Sequence, residues 1–177
     1  MTQARLSLLA AALIFSVGGA AIKACALTSW QIAGFRSGIA AVAVWLILPD
    51  ARRGYRRPVL LVSLAYAATV LLFALANKLT TSANTIFLQS TGPLYILLLA
   101  PLLLGEKTLA YDWAVIGIIA VGMSFFFLGS QAYYRTAPDP GLGNALAAAS
   151  GLSWALTVMG LRWISRAGGS SGSAPAV

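Results

Sequence analysis

Polar side chains crowd the mouth of one long apolar run: Asn77, Lys78, Thr81, Ser82, Asn84, Thr85, Gln89, Ser90 and Thr91. Gly92-Pro93 and then Pro101 interrupt that run before it ends in Gly105-Glu106-Lys107. Inside a bilayer such groups are costly unless they face a cavity or another helix. Residues 76–107 are therefore expected to line something. The chemistry on offer is recognition: Pro93 has no N–H to donate, which frees the Gln89 carbonyl, and Pro101 does the same to Leu97. A free carbonyl beside an amide and hydroxyls presents acceptors and donors to a neutral or zwitterionic solute. At about 100° per residue, Ser82, Thr85, Gln89 and Pro93 share one stripe with Gly92 beside it, and Asn84, Thr91 and Tyr95 a second. The competing reading is that these groups join helices, at about 0.6 kcal/mol per hydrogen bond.

Other polar positions extend the set. Ser63, Tyr66, Phe73 and Asn77 share a face of the preceding segment, with Thr69 at its edge, and Asn77 and Tyr66 each carry a group that must find a partner in lipid. Lys78 is expected to snorkel to the headgroups. Arg36 lies within an apolar segment, where an arginine costs roughly 2.5–3.5 kcal/mol on insertion scales. All acids, Asp50, Glu106, Asp112 and Asp139, fall in expected loops. Arg36 must then reach headgroups, backbone carbonyls or an anionic part of a solute. The Trp154 indole sits mid-span and needs a neighbouring helix or a cavity. The solute-facing set read from sequence is Gln89, Asn77, Tyr66, Thr85, Thr91, Pro93, Tyr95, Trp154 and Arg36.

Composition excludes other chemistry. Hydrophobic residues make up 59% of the 177 and charged residues only 9%, against about 25% charged in soluble domains. The chain is read as integral to a membrane. Its net charge of +8 sits in short loops between apolar runs, which points to membrane orientation rather than nucleic acid. There is no histidine, Cys25 is the single cysteine, and no acids pair near the bilayer. His-based catalysis, the common metal sites and an intrachain disulfide are excluded, so no enzyme, metal or cofactor is expected.

A helix needs about 20 mostly apolar residues to cross the hydrocarbon core. About six segments qualify: 6–22, 30–48, 59–76, 82–104, 113–129 and 142–163. Turn-rich loops separate them at 49–58, 105–112 and 130–143, and the Gly/Ser/Ala-rich stretch 167–177 reads as a flexible tail. Arg5, Arg52, Arg53, Arg56, Arg57, Lys107, Arg162 and Arg166 fall on one side, and only Lys23, Lys78 and Arg135 on the other. The positive-inside rule then puts both termini in the cytoplasm. Aromatics agree, with Trp30, Tyr133 and Tyr134 at the outer boundary and Tyr55, Tyr111, Trp113 and Trp163 at the inner. A cleaved leader or a lipidated Cys25 is disfavoured, because Lys23 fits a lipidation box poorly and further spans follow. Gly34 and Gly38 form a GxxxG, read as intramolecular packing, and Gly18-Gly19 allow another close contact or a bend.

Leu9-Ala10-Ala11-Ala12 with Ser16 recurs as Leu146-Ala147-Ala148-Ala149 with Ser153. About five spans separate the copies, the spacing of inverted-topology transporters. The chain also resembles the EamA-type proteins of the drug/metabolite transporter superfamily. Residues 77–107 look like that family's fourth helix, with Thr/Ser/Ala entry, mid-helix proline and Leu-Gly-Glu exit. Phe35-Arg36, Gly117–Gly122 and the GLSWALTVMGLRWISR stretch at 151–166 add to the likeness. The resemblance implies about ten helices in two inverted five-helix repeats around a substrate cavity. Here it implies an all-α polytopic membrane protein, with 1–130 as one repeat and 131–177 as outer loop, first helix of the second repeat and tail. It implies a secondary transporter, an exporter by alternating access, in a bacterial-type cytoplasmic (inner) membrane. The expected partners are a small-molecule substrate, the lipid bilayer, and a missing second repeat or a second copy of the chain. Related small multidrug exporters use an intramembrane glutamate, which has no counterpart here, so a neutral, zwitterionic or weakly anionic solute, amino-acid-like for instance, is favoured over a cationic drug. The alternatives are a non-transporting assembly or sensory subunit and an inactive fragment of a transporter.

Overall fold

The computed structural model describes residues 2–47, 49, 57–105, 109–127 and 137–168. Among them lie seven helices and no strand: α1 (Thr2–Ala24), α2 (Ser29–Ile47), α3 (Arg57–Leu79), α4 (Ser82–Gln89), α5 (Gly92–Leu104), α6 (Ala110–Phe127) and α7 (Pro140–Gly168). The protein is an all-α polytopic membrane protein. Four stretches are long and apolar enough to span: Ser29–Ile47, Arg57–Leu79, Ser82–Leu104 and Pro140–Arg166. Helices α1 and α6 occupy the expected first and fifth spans. Glu106-Lys107, Asp50 with Arg52, Arg53, Tyr55 and Arg56, then Tyr133, Tyr134 and Arg135, and the tail from 169 lie outside the described residues.

Local chemistry sets the helix ends. Thr28 and Gln31 form a reciprocal capping box at α2: the Thr28 N–H donates to Gln31 Oε1 at 3.0 Å and the Gln31 N–H to Thr28 Oγ1 at 3.4 Å, which satisfies two donors that a helix start leaves open. Thr81 caps α4 by accepting from the Asn84 N–H at 3.1 Å, and Asp139 caps α7 by accepting from the Leu142 N–H at 3.0 Å. Helix α5 stops at Gly105, whose φ of 64° is left-handed, a conformation that glycine adopts without a Cβ penalty.

The expected span 82–104 is two helices. Pro93 removes one rung of the hydrogen-bond ladder, and Gly92 adds backbone freedom next to it, so the chain tightens at Ser90-Thr91. Pro101, by contrast, stays within α5. Helix α7 also runs five residues past its expected end at 163, to Gly168.

Helix α7 sits at the centre. It packs chiefly on α3, and then on α4 and α5. Gly143, Ala147, Gly151 and Ala155 recur every fourth residue and are all buried, a small-residue ladder that lets helix backbones approach. A Cβ on Gly143 would lie 2.7 Å from the Thr80 backbone nitrogen, and one on Gly160 2.4 Å from Val62 Cγ2. The apolar core is three small clusters: Val59–Val62–Ile164, Ala33–Val70–Ala74 and Ala100–Ala155–Met159. The largest fully buried side chains are polar, namely Asn77, Thr80, Thr85 and Ser150. Large apolar residues such as Leu13, Ile39, Leu102 and Ile118 face outward. That inversion is what a lipid solvent demands.

Two expectations about glycine contacts divide. Gly19 packs as expected, since its Cβ would lie 3.2 Å from Ser82 Cβ on α4. Gly34 and Gly38 do not pack within the chain: nothing among the described residues lies within 4 Å of a Cβ at either. Helix α3 takes the Ala33 side of α2 instead, where Val70 and Ala74 fit.

A polar clamp ties the starts of α4 and α7 to the end of α3. Thr80 Oγ1 donates to Asn144 Oδ1 at 2.9 Å, Asn84 Nδ2 lies 3.3 Å from both Thr80 Oγ1 and Asn144 Oδ1, and the Asp139 N–H donates to the Leu79 carbonyl at 3.1 Å. Thr80→Val should lower stability by about 1 kcal/mol, read as thermal unfolding in detergent. Gly143→Ala should cost about 1–3 kcal/mol because backbone blocks its methyl. Gly160→Ala should cost a similar amount, since its methyl meets Val62, which is buried and stiff at χ1, and Gly34→Ala should leave the melting temperature in place.

Candidate functional site

The break between α4 and α5 organises the site. Ser90 and Thr91 keep right-handed backbone angles with ψ near zero (−2° and −5°). The Ser90 N–H donates to the Ile86 and Phe87 carbonyls at 2.9 and 3.1 Å, and the Thr91 N–H to Leu88 at 3.2 Å. The ladder restarts when the Leu94 N–H donates to Thr91 at 2.9 Å. Pro93 supplies nothing to the Gln89 carbonyl. That oxygen lies 3.1 Å from where a Cβ on Gly151 would stand, as do the Leu88 carbonyl and Thr91 Oγ1. An alanine methyl there would have to push these oxygens back by a few tenths of an ångström, and a larger side chain would drive α7 off the break. One turn on, the edge of the Trp154 indole covers Gly92, with Cδ1 3.1 Å from a Cβ built there.

Gln89 links the break to the core. Its Nε2 donates to Ser150 Oγ at 3.0 Å, and Ser150 Oγ donates onward to the Thr69 carbonyl at 3.1 Å. This chain crosses α4, α7 and α3. Ser150 and Thr69 are buried, whereas Gln89 is half-buried and Trp154 is 41% exposed. Neither Gln89 Oε1 nor the Trp154 N–H has a hydrogen-bond partner among the described residues. The arrangement leaves an acceptor and a donor at a helix discontinuity.

Of the residues singled out from sequence, Gln89, Thr91, Pro93 and Trp154 gather around this break. Thr91 Oγ1 donates to the Leu88 carbonyl at 2.6 Å. Pro93 is exposed and lines a crevice of about 30 Å³ with Ser90, Leu94, Ile116 and Ile119. Thr85 is fully buried and donates to its own helix, to the Thr81 carbonyl at 3.1 Å. Tyr95 packs beside Ala100, Ala155 and Met159, and Tyr66 beside Ala33, Val70 and Ala74. Arg36 is exposed on α2. The described acids are occupied elsewhere, Asp112 accepting from the Leu109 N–H at 2.8 Å and Asp139 capping α7.

The expected stripe of Ser82, Thr85, Gln89 and Pro93 does not hold together. Ser82 Oγ donates to the Gly19 carbonyl on α1 at 3.1 Å, Thr85 turns to its own backbone, Gln89 reaches α7, and Pro93 faces α6. A constant rotation per residue fails once the turn at Ser90-Thr91 resets the helical phase.

Asn77 belongs to a second cluster. It is fully buried, its Nδ2 donates to the Phe73 carbonyl at 3.0 Å, and its Oδ1 has no partner among the described residues. That oxygen lies 3.5 Å from a Cβ built on Gly19, so it sits in the α1–α3–α4 seam. Lys78, expected to snorkel, donates from Nζ to the Cys25 carbonyl just past the end of α1.

Ser150, Thr80 and Asn144 carry no signal of their own in the sequence, and Gly151 enters there only as the start of the stretch 151–166. The four-residue spacing of Gly143, Ala147, Gly151 and Ala155 was the available signal, since it marks the face of α7 on which a neighbouring serine must be buried.

Residues 3–128 match the EamA-like transporter family. No curated protein and no solved structure matches the chain. The family match covers more than half of the sequence and takes in α1 through α6, including the α4–α5 break. The chain belongs to the EamA-like transporter family, and so to the drug/metabolite transporter superfamily of integral membrane proteins.

Proposed function

We propose that this chain carries a small neutral, zwitterionic or weakly anionic metabolite, or a drug of that character, across the cytoplasmic membrane by alternating access, in the export direction. The observation that carries this reading is the α4–α5 break, where Pro93 denies the Gln89 carbonyl its usual N–H and where the Gln89 amide and the Trp154 indole both sit against the crossing of α7. Discontinuous helices supply backbone and side-chain groups to solutes at the bilayer midplane in other secondary transporters. The polar groups here are amides, hydroxyls and an indole, which suits a solute recognised by hydrogen bonds. A second copy of the chain, or a second repeat, would cover the other side of the path. Both termini are assigned to the cytoplasm on the distribution of arginines.

Reconstitution of the 177-residue chain in proteoliposomes tests this, using counterflow of a panel of zwitterionic, neutral and weakly anionic solutes. Gln89→Ala should lower the flux of the transported solute by about tenfold, the scale of one lost interaction of 1.4 kcal/mol, with unchanged incorporation into the vesicles. Pro93→Ala restores an N–H for the Gln89 carbonyl and should also lower flux. Absence of flux for every solute with the wild-type chain, or full flux in both variants, overturns the proposal.

A further inference from the structure

The direction of the hydrogen-bond chain between Gln89, Ser150 and Thr69 follows from its far end. The Thr69 carbonyl only accepts, so the single hydroxyl hydrogen of Ser150 is committed to it at 3.1 Å. Ser150 Oγ then has only lone pairs to offer toward Gln89, which must present its amide NH₂, at 3.0 Å. Ser150 and Thr69 are 0% and 4% exposed, so water does not compete at that end of the chain. Gln89 Oε1 is consequently turned away from Ser150, on a half-buried residue and without a donor among the described residues.

We infer that Ser150 is a positioning residue that holds the Gln89 amide in one orientation, so that the site selects solutes bringing an N–H or O–H donor to Gln89 Oε1. This rests on the transport reading above, and it narrows the solute class. A protonated amine, a primary amide or a hydroxyl satisfies the oxygen. A quaternary ammonium of the same charge leaves it unpaired in a poorly hydrated place, where an unmade hydrogen bond is costly. A carboxylate at this position would bind cations by charge alone; a neutral amide oxygen distinguishes donors from non-donors.

Two measurements on the full chain in lipid nanodiscs test this. The first labels the glutamine side chains with ¹⁵N and follows exchange of their amide hydrogens in D₂O; Gln89 is assigned as the signal lost in Gln89→Glu. The Gln89 NH₂ should exchange at least about tenfold more slowly than that of the exposed Gln31 in the wild type and in Ser150→Thr, and lose this protection in Ser150→Ala. Protection unchanged in Ser150→Ala overturns the positioning role. The second compares equilibrium binding of radiolabelled L-leucine with that of its N-trimethyl betaine, a zwitterion of equal charge with no N–H. The wild type should prefer leucine by about tenfold, the worth of one hydrogen bond to a charged donor, and the preference should collapse in Ser150→Ala and persist in Ser150→Thr. A preference due to the larger trimethyl group alone would survive in Ser150→Ala, and that result overturns the inference. Equal binding of both by the wild type overturns donor selection and leaves the transport reading standing; binding of neither overturns donor selection and counts against the transport reading as well.

Discussion

A polar group placed in hydrocarbon must find its partner within the protein, and this requirement governs the whole structure. The chain answers it in two ways. Most hydroxyls turn back on their own helix, as Ser63, Thr69, Thr85, Ser90 and Thr157 do by donating to carbonyls one turn earlier. Others reach across helices, chiefly where three helices meet, at the Thr80–Asn84–Asn144 clamp and along Gln89–Ser150–Thr69, and also at the α1 seam, where Ser82 donates to the Gly19 carbonyl. Elsewhere the interior is mostly small and apolar, with Asn77 in the α1–α3–α4 seam as the exception, and large apolar residues face outward.

Close approach makes the second solution possible. Side chains as short as serine, threonine and asparagine link helices only when the backbones nearly touch. The ladder of Gly143, Ala147, Gly151 and Ala155 brings α7 to that distance, and Ser150 lies beside it. The same ladder accommodates the break in the fourth span: Gly151 permits the Leu88 and Gln89 carbonyls to rest against α7, where a side chain larger than alanine's would separate them. Helix packing and the polar site are one arrangement. A substitution that thickens α7 at Gly151 therefore disturbs both.

The break also explains why the polar residues divide. Hydroxyls that bond within their own helix have used their hydrogen and contribute little recognition. An amide differs, having two donors and an acceptor on one group. Gln89 spends a donor on Ser150 and keeps its oxygen. Asn77 spends a donor on Phe73, and its oxygen faces the Gly19 region of a closed seam. Two amides, alike in sequence terms, thus end in different roles, one at an open helix discontinuity and one inside a helix joint.

Much of this was legible before any tertiary information. Low charge and long apolar runs establish an all-α membrane protein, because bilayer thickness and the cost of moving side chains into hydrocarbon are properties of sequence. Pro93 also announces a free carbonyl at Gln89, since the missing N–H is covalent fact. The partners were not legible. Whether Gln89 meets lipid, solute or α7 depends on which helices cross at that level, and Ser150 drew no notice because one serine in an Ala-rich helix is unremarkable until its neighbour is known. The stripe through Ser82, Thr85, Gln89 and Pro93 failed for a related reason: helical phase extrapolates only while the helix is unbroken. Sequence alone determined the solvent, the approximate spans and the two prolines at which the fourth could break; tertiary structure decided which of them breaks it, and which polar groups are spent on holding helices together and which are left over, because that division depends on distances between segments far apart in the chain.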